Sequence, residues 1–149
     1  RADMGDDITL TFPSSYRWLN MIDLVCGEIT AEMGFSHDAL NEISISVIEA
    51  CTNALEHGNN SDTDLEVRVV FHRRADKLEV EVFDCGKGFD YKEYMDNLPD
   101  PSDIQNHRGR GIYIMCQMMD SLVFNKLPDG GMKVTLSKKI DGSGEKDDR

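Results

Sequence analysis

The sequence predicts an α+β fold, a two-layer α/β sandwich in which helices cover one face of a mixed, mostly antiparallel sheet. Strand-like alternation recurs along the chain, whereas helical periodicity occurs first in two consecutive segments and later in one. Strands and helices therefore do not alternate as in a doubly wound parallel sheet. The 149 residues, 40% of them hydrophobic, fit one domain over 1–149 with its core at 8–140.

The first half of the chain predicts one strand and two helices. Apolar and polar residues alternate over 8–12, which is typical of a strand. Apolar residues then recur at steps of three and four as far as Gly34, which indicates an amphipathic helix. Ser36 is a suitable N-cap for a second, longer helix, and we expect the Gly-Asn-Asn-Ser segment at 58–61 to end it.

The second half predicts four strands, a long loop and one more helix. The strands follow alternating patterns, at 65–71, 78–82, 122–125 and 132–138. Residues 89–108 mix aromatic, acidic and Pro residues, a composition and length typical of a lid over a binding site. Helical periodicity returns from Gly109, and the polar segment 141–149 is expected to be a frayed tail.

The composition indicates which classes of partner to expect and which cellular compartment. A formal net charge of −12, from 28 acidic and 16 basic residues, repels a phosphate backbone, so we expect no direct contact with nucleic acid. The chain has no run of about 18 apolar residues, so we expect no membrane span. Four cysteines without a Cys-x-x-Cys pair favour a reducing, cytoplasmic location over a disulfide framework or a zinc site.

Five polar residues follow one another at helical steps along the second predicted helix. They are Glu42, Ser46, Glu49, Asn53 and His57. Steps of three and four place them on one stripe, opposite the apolar one. A carboxylate and an amide oxygen one turn apart, such as those of Glu49 and Asn53, suit a hydrated Mg²⁺ and a reacting hydroxyl. A solvated helix face is the alternative explanation of such a stripe.

An acidic residue and two glycines come directly after the predicted strand at 78–82. They are Asp84, Gly86 and Gly88, and Phe89 follows them. Glycine lets a backbone approach a ligand closely, and a fixed carboxylate accepts a hydrogen bond from an exocyclic amine. The segment therefore indicates a binding corner, with an ordinary glycine-rich turn as the alternative.

A second glycine-rich segment opens the last predicted helix. Gly109 and Gly111 alternate with Arg108 and Arg110, and Ile112 begins the apolar face. Exposed amides, the positive end of the helix dipole and two arginines together suit an anion such as a phosphate. Glycines that only form a turn before a helix are the alternative. The order of these segments, helix stripe, strand end, lid and helix start, favours one nucleotide site.

The same segments resemble the sequence boxes of the GHKL ATPases. Residues 49–53 look like the N box, 84–89 like the G1 box and 109–112 like the G2 box. The local text Glu-Ala-Cys-Thr-Asn-Ala-Leu-Glu-His-Gly is similar to that of the anti-sigma factor serine/threonine kinases. The resemblance implies the Bergerat ATPase fold and a chain that binds ATP and Mg²⁺. It also implies sequestration of a sigma factor, phosphorylation of an anti-anti-sigma (STAS) partner, and a possible homodimer.

The resemblance also implies a role for each matching residue. Glu49 corresponds to the general base that takes the proton of the acceptor hydroxyl, and Asn53 to the Mg²⁺ ligand. Asp84 corresponds to the acceptor for the adenine amine. Gly86 and Gly88 leave room for the base and the sugar. A module that binds a partner with nucleotide as a conformational ligand, without transfer, is the alternative function.

The match departs from the family pattern at two places near the phosphates and the base. The amides of Gly109 and Gly111 correspond to the phosphate ligands, but the arginine of the kinases is shifted, so Arg108 and Arg110 are both candidates for the γ-phosphate. The Gly-Thr pair of many GHKL proteins is absent from the last strand. Thr135, further along that strand, is the candidate in its place.

Overall fold

The computed structural model describes residues 6–86 and 107–141, with the side chains of residues 107 and 108 excepted. The strands are β1 (Asp7–Pro13), β2 (Glu66–Arg73), β3 (Lys77–Phe83), β4 (Ser121–Lys126) and β5 (Met132–Lys139). The helices are α1 (Leu19–Met33), α2 (His37–Asn53) and α3 (His107–Met118). A 3₁₀ turn, Tyr16–Trp18, precedes α1, and a π-helical turn, Ala54–Gly58, follows α2. The described chain therefore contains every strand and helix that the sequence predicts.

The strands form one sheet in the order β1-β2-β3-β5-β4. All four pairings between described strands are antiparallel. Val82 lies opposite Val69 on one side and Val134 on the other, and Phe124 lies opposite Val134. These side chains are buried because alternate residues of each strand point to the face that the helices cover. The predicted two-layer α+β fold is confirmed.

The helices begin and end where local chemistry requires it. Ser36 caps α2 by accepting a hydrogen bond from the backbone N–H of Ala39 at 3.1 Å. Gly34 ends α1 in the left-handed region, with φ of 89°. The helix α3 begins at His107, two residues before the predicted start, and the rest of the predicted lid lies outside the described residues. None of the helices described is both long and apolar enough to cross a membrane.

The polar stripe of α2 is not a solvated face. Ser46 is fully buried, which corrects its predicted place on a stripe opposite the core. The π-helical turn begins directly after Asn53, so His57 no longer follows at an α-helical step, and it is exposed. The π turn carries the chain into the loop at 59–62, where the predicted helix end is confirmed.

One lysine joins two helices, α2 and α3, to the sheet. Lys138 of β5 is mostly buried, and its Nζ donates to the carbonyl oxygen of Met118 at 2.6 Å. The same Nζ lies 3.1 Å from Oε1 of Glu42 on α2. The carbonyl at the end of α3 has no partner within its own helix, so the lysine satisfies it and pairs with a carboxylate as well. Lys138 thus fixes α2 and α3 against the same strand.

Candidate functional site

A pocket lies between α2 and the inner face of the sheet. Its walls come from α2, the π turn, β3, α3, β4 and β5, and the lining residues are Ala50, Asn53, Ala54, Gly58, Val82, Asp84, Met115, Phe124, Met132 and Val134. Most of these are apolar, and Asp84 and Asn53 carry the polar side chains among them. An apolar pocket with a few polar groups is the usual make-up of a small-molecule site.

The carboxylate of Asp84 is held in place by backbone groups on two sides. Its Oδ1 accepts hydrogen bonds from the N–H of Gly86 at 2.9 Å and from the N–H of Met132 at 3.2 Å. Its own N–H donates to the carbonyl oxygen of Met132 at 3.0 Å. Asp84 is only 8% exposed, so these bonds are shielded from water and set the orientation of the carboxylate.

Three glycines let separate segments meet at Asp84. A Cβ atom at Gly58 would collide with the Asp84 carboxylate, and one at Gly86 would overlap the carbonyl group of Gly58. Gly131, with φ of 97°, brings its Cα against the carbonyl group of Asp84. Gly58 and Gly131 were not predicted as site residues. The sequence indicates a helix end at Gly58, and Gly131 stands where many GHKL proteins have the glycine of a Gly-Thr pair. The close approach of the segments depends on the tertiary fold.

Asn53 and Glu49 bring α2 into the same region. Asn53 lines the pocket, and its Nδ2 is buried without a hydrogen-bond partner in residues 6–86 and 107–141. Glu49 lies one turn earlier on α2 and is half-buried. A Cβ atom at Gly111 of α3 would collide with Oε1 of Glu49. The stripe on α2, the corner at Asp84 and the start of α3 therefore meet around one end of the sheet.

The remaining predicted residues divide into three groups. Gly109, Gly111 and Ile112 are buried in the first turns of α3, and Arg110 on the same helix is exposed. Gly109 is the third residue of this helix, in its first turn. Outside the part of the chain, or the side chains, that the structure describes lie Gly88, Phe89 and the Arg108 side chain.

Thr135 is not brought to the pocket. Its neighbour Val134 points into the pocket, so Thr135 points to the other face of the sheet. There it lies opposite Glu81 on β3 and Val123 on β4. The structure corrects its predicted placement, because alternation along β5 separates it from Asp84 by the thickness of the sheet.

Comparison with known proteins identifies the fold family. Residues 12–138 match the family described as the histidine kinase-like ATPase domain. The chain belongs to the histidine kinase-like ATPase family. The prediction of GHKL ancestry, made from the three sequence boxes, is confirmed by this match. ATP binding is what membership of this ATPase family implies for the chain.

Individual members of the family narrow the relationship. Serine-protein kinase RsbW of Bacillus velezensis is 31% identical over 142 residues, covering 92% of this chain and 88% of the relative. Serine-protein kinase RsbW of Bacillus subtilis is 31% identical over 143 residues, covering 93% and 88%. That of Listeria innocua is 30% identical over 144 residues, covering 93% and 90%. These proteins place the chain among the anti-sigma kinase relatives that its N-box text resembles.

A solved structure shows the same fold. The RsbU and RsbW domains of Rv1364c from Mycobacterium tuberculosis match with a TM-score of 0.64 at 17% identity. The match covers 91% of this chain and 32% of the longer Mycobacterium chain. At this identity the similarity concerns the fold alone, and it agrees with the five-stranded sheet and three helices described above.

Proposed function

We propose that this histidine kinase-like ATPase domain is an anti-sigma factor with serine/threonine kinase activity. It binds Mg²⁺-ATP in the pocket beside Asp84, phosphorylates a STAS-domain partner and sequesters a sigma factor. The observation that carries the proposal is that Asn53 and Asp84 line one pocket, with Glu49 one helical turn away. The names of the RsbW relatives support the kinase activity.

The adenine ring lies against the apolar walls of the pocket in this proposal. Ala50 of α2, Val82 of β3 and Met115 of α3 supply apolar walls for a flat ring. The carboxylate of Asp84, fixed through its Oδ1, accepts a hydrogen bond from the exocyclic amine. This arrangement favours adenine over a base that has a carbonyl group at the same position.

The residues present suit a magnesium ion that is shared with the nucleotide. No group of three or more His, Cys, Asp and Glu side chains among the described residues is placed to hold a metal by itself. Mg²⁺ needs no such cage, because it keeps several waters and binds one or two protein oxygens together with phosphates. Among the described residues the Nδ2 of Asn53 has no hydrogen-bond partner. A rotation of the side-chain amide by 180° puts Oδ1 in that place, where it supplies one ligand oxygen. Bound there, the ion neutralises charge on the phosphates.

Glu49 acts on the acceptor hydroxyl in this proposal. Its carboxylate takes the proton as the hydroxyl oxygen forms a bond to the γ-phosphorus and the bond to the β,γ-bridging oxygen breaks, releasing ADP. Such a transfer depends more on positioning and charge neutralisation than on covalent chemistry. The contact between Glu49 and Gly111 limits where this carboxylate lies. Gly109 and Gly111, whose amides the family resemblance assigns to the phosphates, lie in the first turns of α3.

Phosphoryl transfer from labelled ATP to STAS proteins of the same genome tests the kinase. We expect Mg²⁺-dependent phosphoprotein with the wild type, and none with Glu49→Gln, which retains ATP binding because the base does not contact adenine. Glu28→Gln, an exposed change on α1, is the matched control and should transfer normally. Nucleotide binding without phosphoprotein from any STAS partner would instead favour the non-catalytic binding module.

Sequestration is tested separately by size-exclusion chromatography with candidate sigma factors. We expect a complex in the presence of Mg²⁺-ATP that dissociates when an unphosphorylated STAS partner is added. Absence of a complex with every sigma factor would leave the kinase proposal standing and refute the anti-sigma role. The same column run without partners reports whether the chain forms the predicted homodimer.

A further inference from the structure

Asn59 is a fully buried polar residue that joins four separate segments next to the site. It lies just after the π turn and is 1% exposed. Its Nδ2 donates to Oγ of Ser14 at 2.9 Å and to the carbonyl oxygen of Glu66 at 3.1 Å. Its Oδ1 accepts from the N–H of Cys85 at 2.7 Å. The end of β1, the start of β2 and the segment after β3 are thus tied to the end of α2.

The backbone around Asp84 is anchored on both sides. On the side of β5, the N–H of Asp84 donates to the carbonyl oxygen of Met132. On the other side, the N–H of the next residue, Cys85, donates to Asn59. Two anchors on consecutive amides fix the direction in which the Asp84 side chain leaves the backbone. The carbonyl acceptor at Glu66 and the amide donor at Cys85 also leave only one orientation for the Asn59 amide.

We propose that Asn59 is a positioning residue that sets the base selectivity of the nucleotide site through Asp84. This inference rests on the proposed function, since it takes Asp84 as the acceptor for the adenine amine. Removal of the Asn59 amide releases the N–H of Cys85, and Asp84 then loses one of its two backbone anchors. The carboxylate keeps its charge and the bonds to its Oδ1, but its backbone is held on one side only and its direction is less sharply fixed. Discrimination between bases therefore falls more than affinity for phosphates.

The ratio of dissociation constants for inosine triphosphate and ATP tests this role, because inosine has a carbonyl group where adenine has an amine. We expect the wild type to prefer ATP by about tenfold, because one well-placed buried hydrogen bond has an effect of about that size. Asn59→Ala should bring the ratio close to one, in the same direction as Asp84→Asn. Asn60→Gly, next in the chain, exposed and at positive φ, is the control and should keep the wild-type ratio.

If the role of Asn59 is purely structural, Asn59→Ala weakens the binding of both nucleotides equally and leaves the ratio unchanged. That result would overturn the inference. If Asn59→Ala does not fold, Ser14→Ala tests the inference instead. It removes one acceptor of the Asn59 Nδ2 and should lower the ratio by a smaller factor. An unchanged ratio in that variant likewise overturns the inference. A wild type that binds neither nucleotide, or binds both equally, refutes the proposed role of Asp84 itself and is thereby distinguished from failure of the Asn59 inference.

Discussion

Glu49 and Gly111 meet so closely that no side chain fits at residue 111 while the carboxylate stays where it is. The contact joins the C-terminal part of α2 to the second turn of α3. The atom nearest to a Cβ at residue 111 would be Oε1 of Glu49, which ends a side chain that can rotate. A larger residue at 111 therefore displaces the carboxylate and leaves the backbone in place. Gly111 therefore controls the position of the proposed base.

Gly111→Ala is expected to lower phosphoryl transfer by about tenfold or more, because a displacement of about 1 Å in a reacting group has effects of that size or larger. ATP binding and folding should be retained, since alanine suits a helix interior better than glycine. Single-turnover transfer and thermal unfolding measure the two effects.

Gly27→Ala is the matched control on α1, because a Cβ atom there meets nothing within 4 Å. It should stabilise the protein by roughly 0.5–1 kcal/mol and leave transfer unchanged. Wild-type transfer by Gly111→Ala would show that Glu49 is not held by this contact.

Substitutions at the two adjacent glycines of the β4–β5 turn distinguish the effect of backbone strain from that of a collision with neighbouring backbone. Both have positive φ, 101° at Gly130 and 97° at Gly131. The nearest atom to a Cβ at Gly130 is 3.9 Å away, whereas a Cβ at Gly131 would collide with the carbonyl group of Asp84. Gly130→Ala should cost about 1–2 kcal/mol from strain alone.

Gly131→Ala should cost more and should also reduce the increase in Tm that ATP produces, because Asp84 must move. Chemical denaturation, with and without Mg²⁺-ATP, measures both effects. Equal destabilisation by the two alanines, with the same response to ATP, would contradict the close packing at Asp84.

His72 joins three strands on the face of the sheet opposite the pocket. Its Nε2 lies 2.7 Å from Oε1 of Glu81 on β3 and its Nδ1 lies 3.0 Å from Oδ1 of Asp7 on β1. Burial lowers the pKa of His72, but hydrogen bonds and attraction to Glu81 and Asp7 outweigh it and raise the pKa above the ordinary 6.5. Burial raises the pKa of Glu81, and the pairing with His72 and Lys133 outweighs it and lowers the pKa below 4.5.

The stabilisation by this cluster is expected to be greatest at mildly acidic pH. A raised histidine pKa stabilises the fold below pH 6.5, and this contribution is lost as pH rises through the folded-state value. A lowered glutamate pKa stabilises the fold above pH 4.5, and this contribution is lost as pH falls through the folded-state value. Both contributions are present together between these limits.

His72→Gln should therefore destabilise the protein more at about pH 5.5 than at about pH 8 in urea unfolding. His37→Gln, an exposed change at the start of α2, should show no such difference. A constant effect of His72→Gln across this range would contradict the role of the charged imidazole.

Lys138→Ala is expected to destabilise the fold by about 1–3 kcal/mol, because it leaves the carbonyl of Met118 and the carboxylate of Glu42 without their shared partner. Its neighbour Lys139 is exposed, and Lys139→Ala should change the free energy of unfolding by less than about 0.5 kcal/mol. Equal effects of the two substitutions in chemical denaturation would show that the contacts of Lys138 with Met118 and Glu42 contribute nothing to stability.

Local patterns predicted the elements well because each depends on neighbours in the sequence. Ser36 and Gly34 mark helix ends through hydrogen bonds and φ angles that lie within one or two turns. Thr135 was misplaced because its side chain was assigned by chemical type, although alternation next to Val134 directs it to the other face. Ser46 was misplaced because the local sequence does not show which part of a polar stripe the fold will bury.

The sequence by itself determined the order of strands and helices, the family, and the identity of Glu49, Asn53 and Asp84 as candidate residues. The order of the elements follows from periodicity, and the family and its candidate residues follow from the resemblance of three short motifs. Both signals extend over only a few residues. Only the tertiary structure decided that Gly58 and Gly131 close around Asp84 and that Asn59 ties four segments together. Close approach and buried hydrogen bonds between distant segments depend on how helices pack on the sheet, and no local pattern encodes those distances.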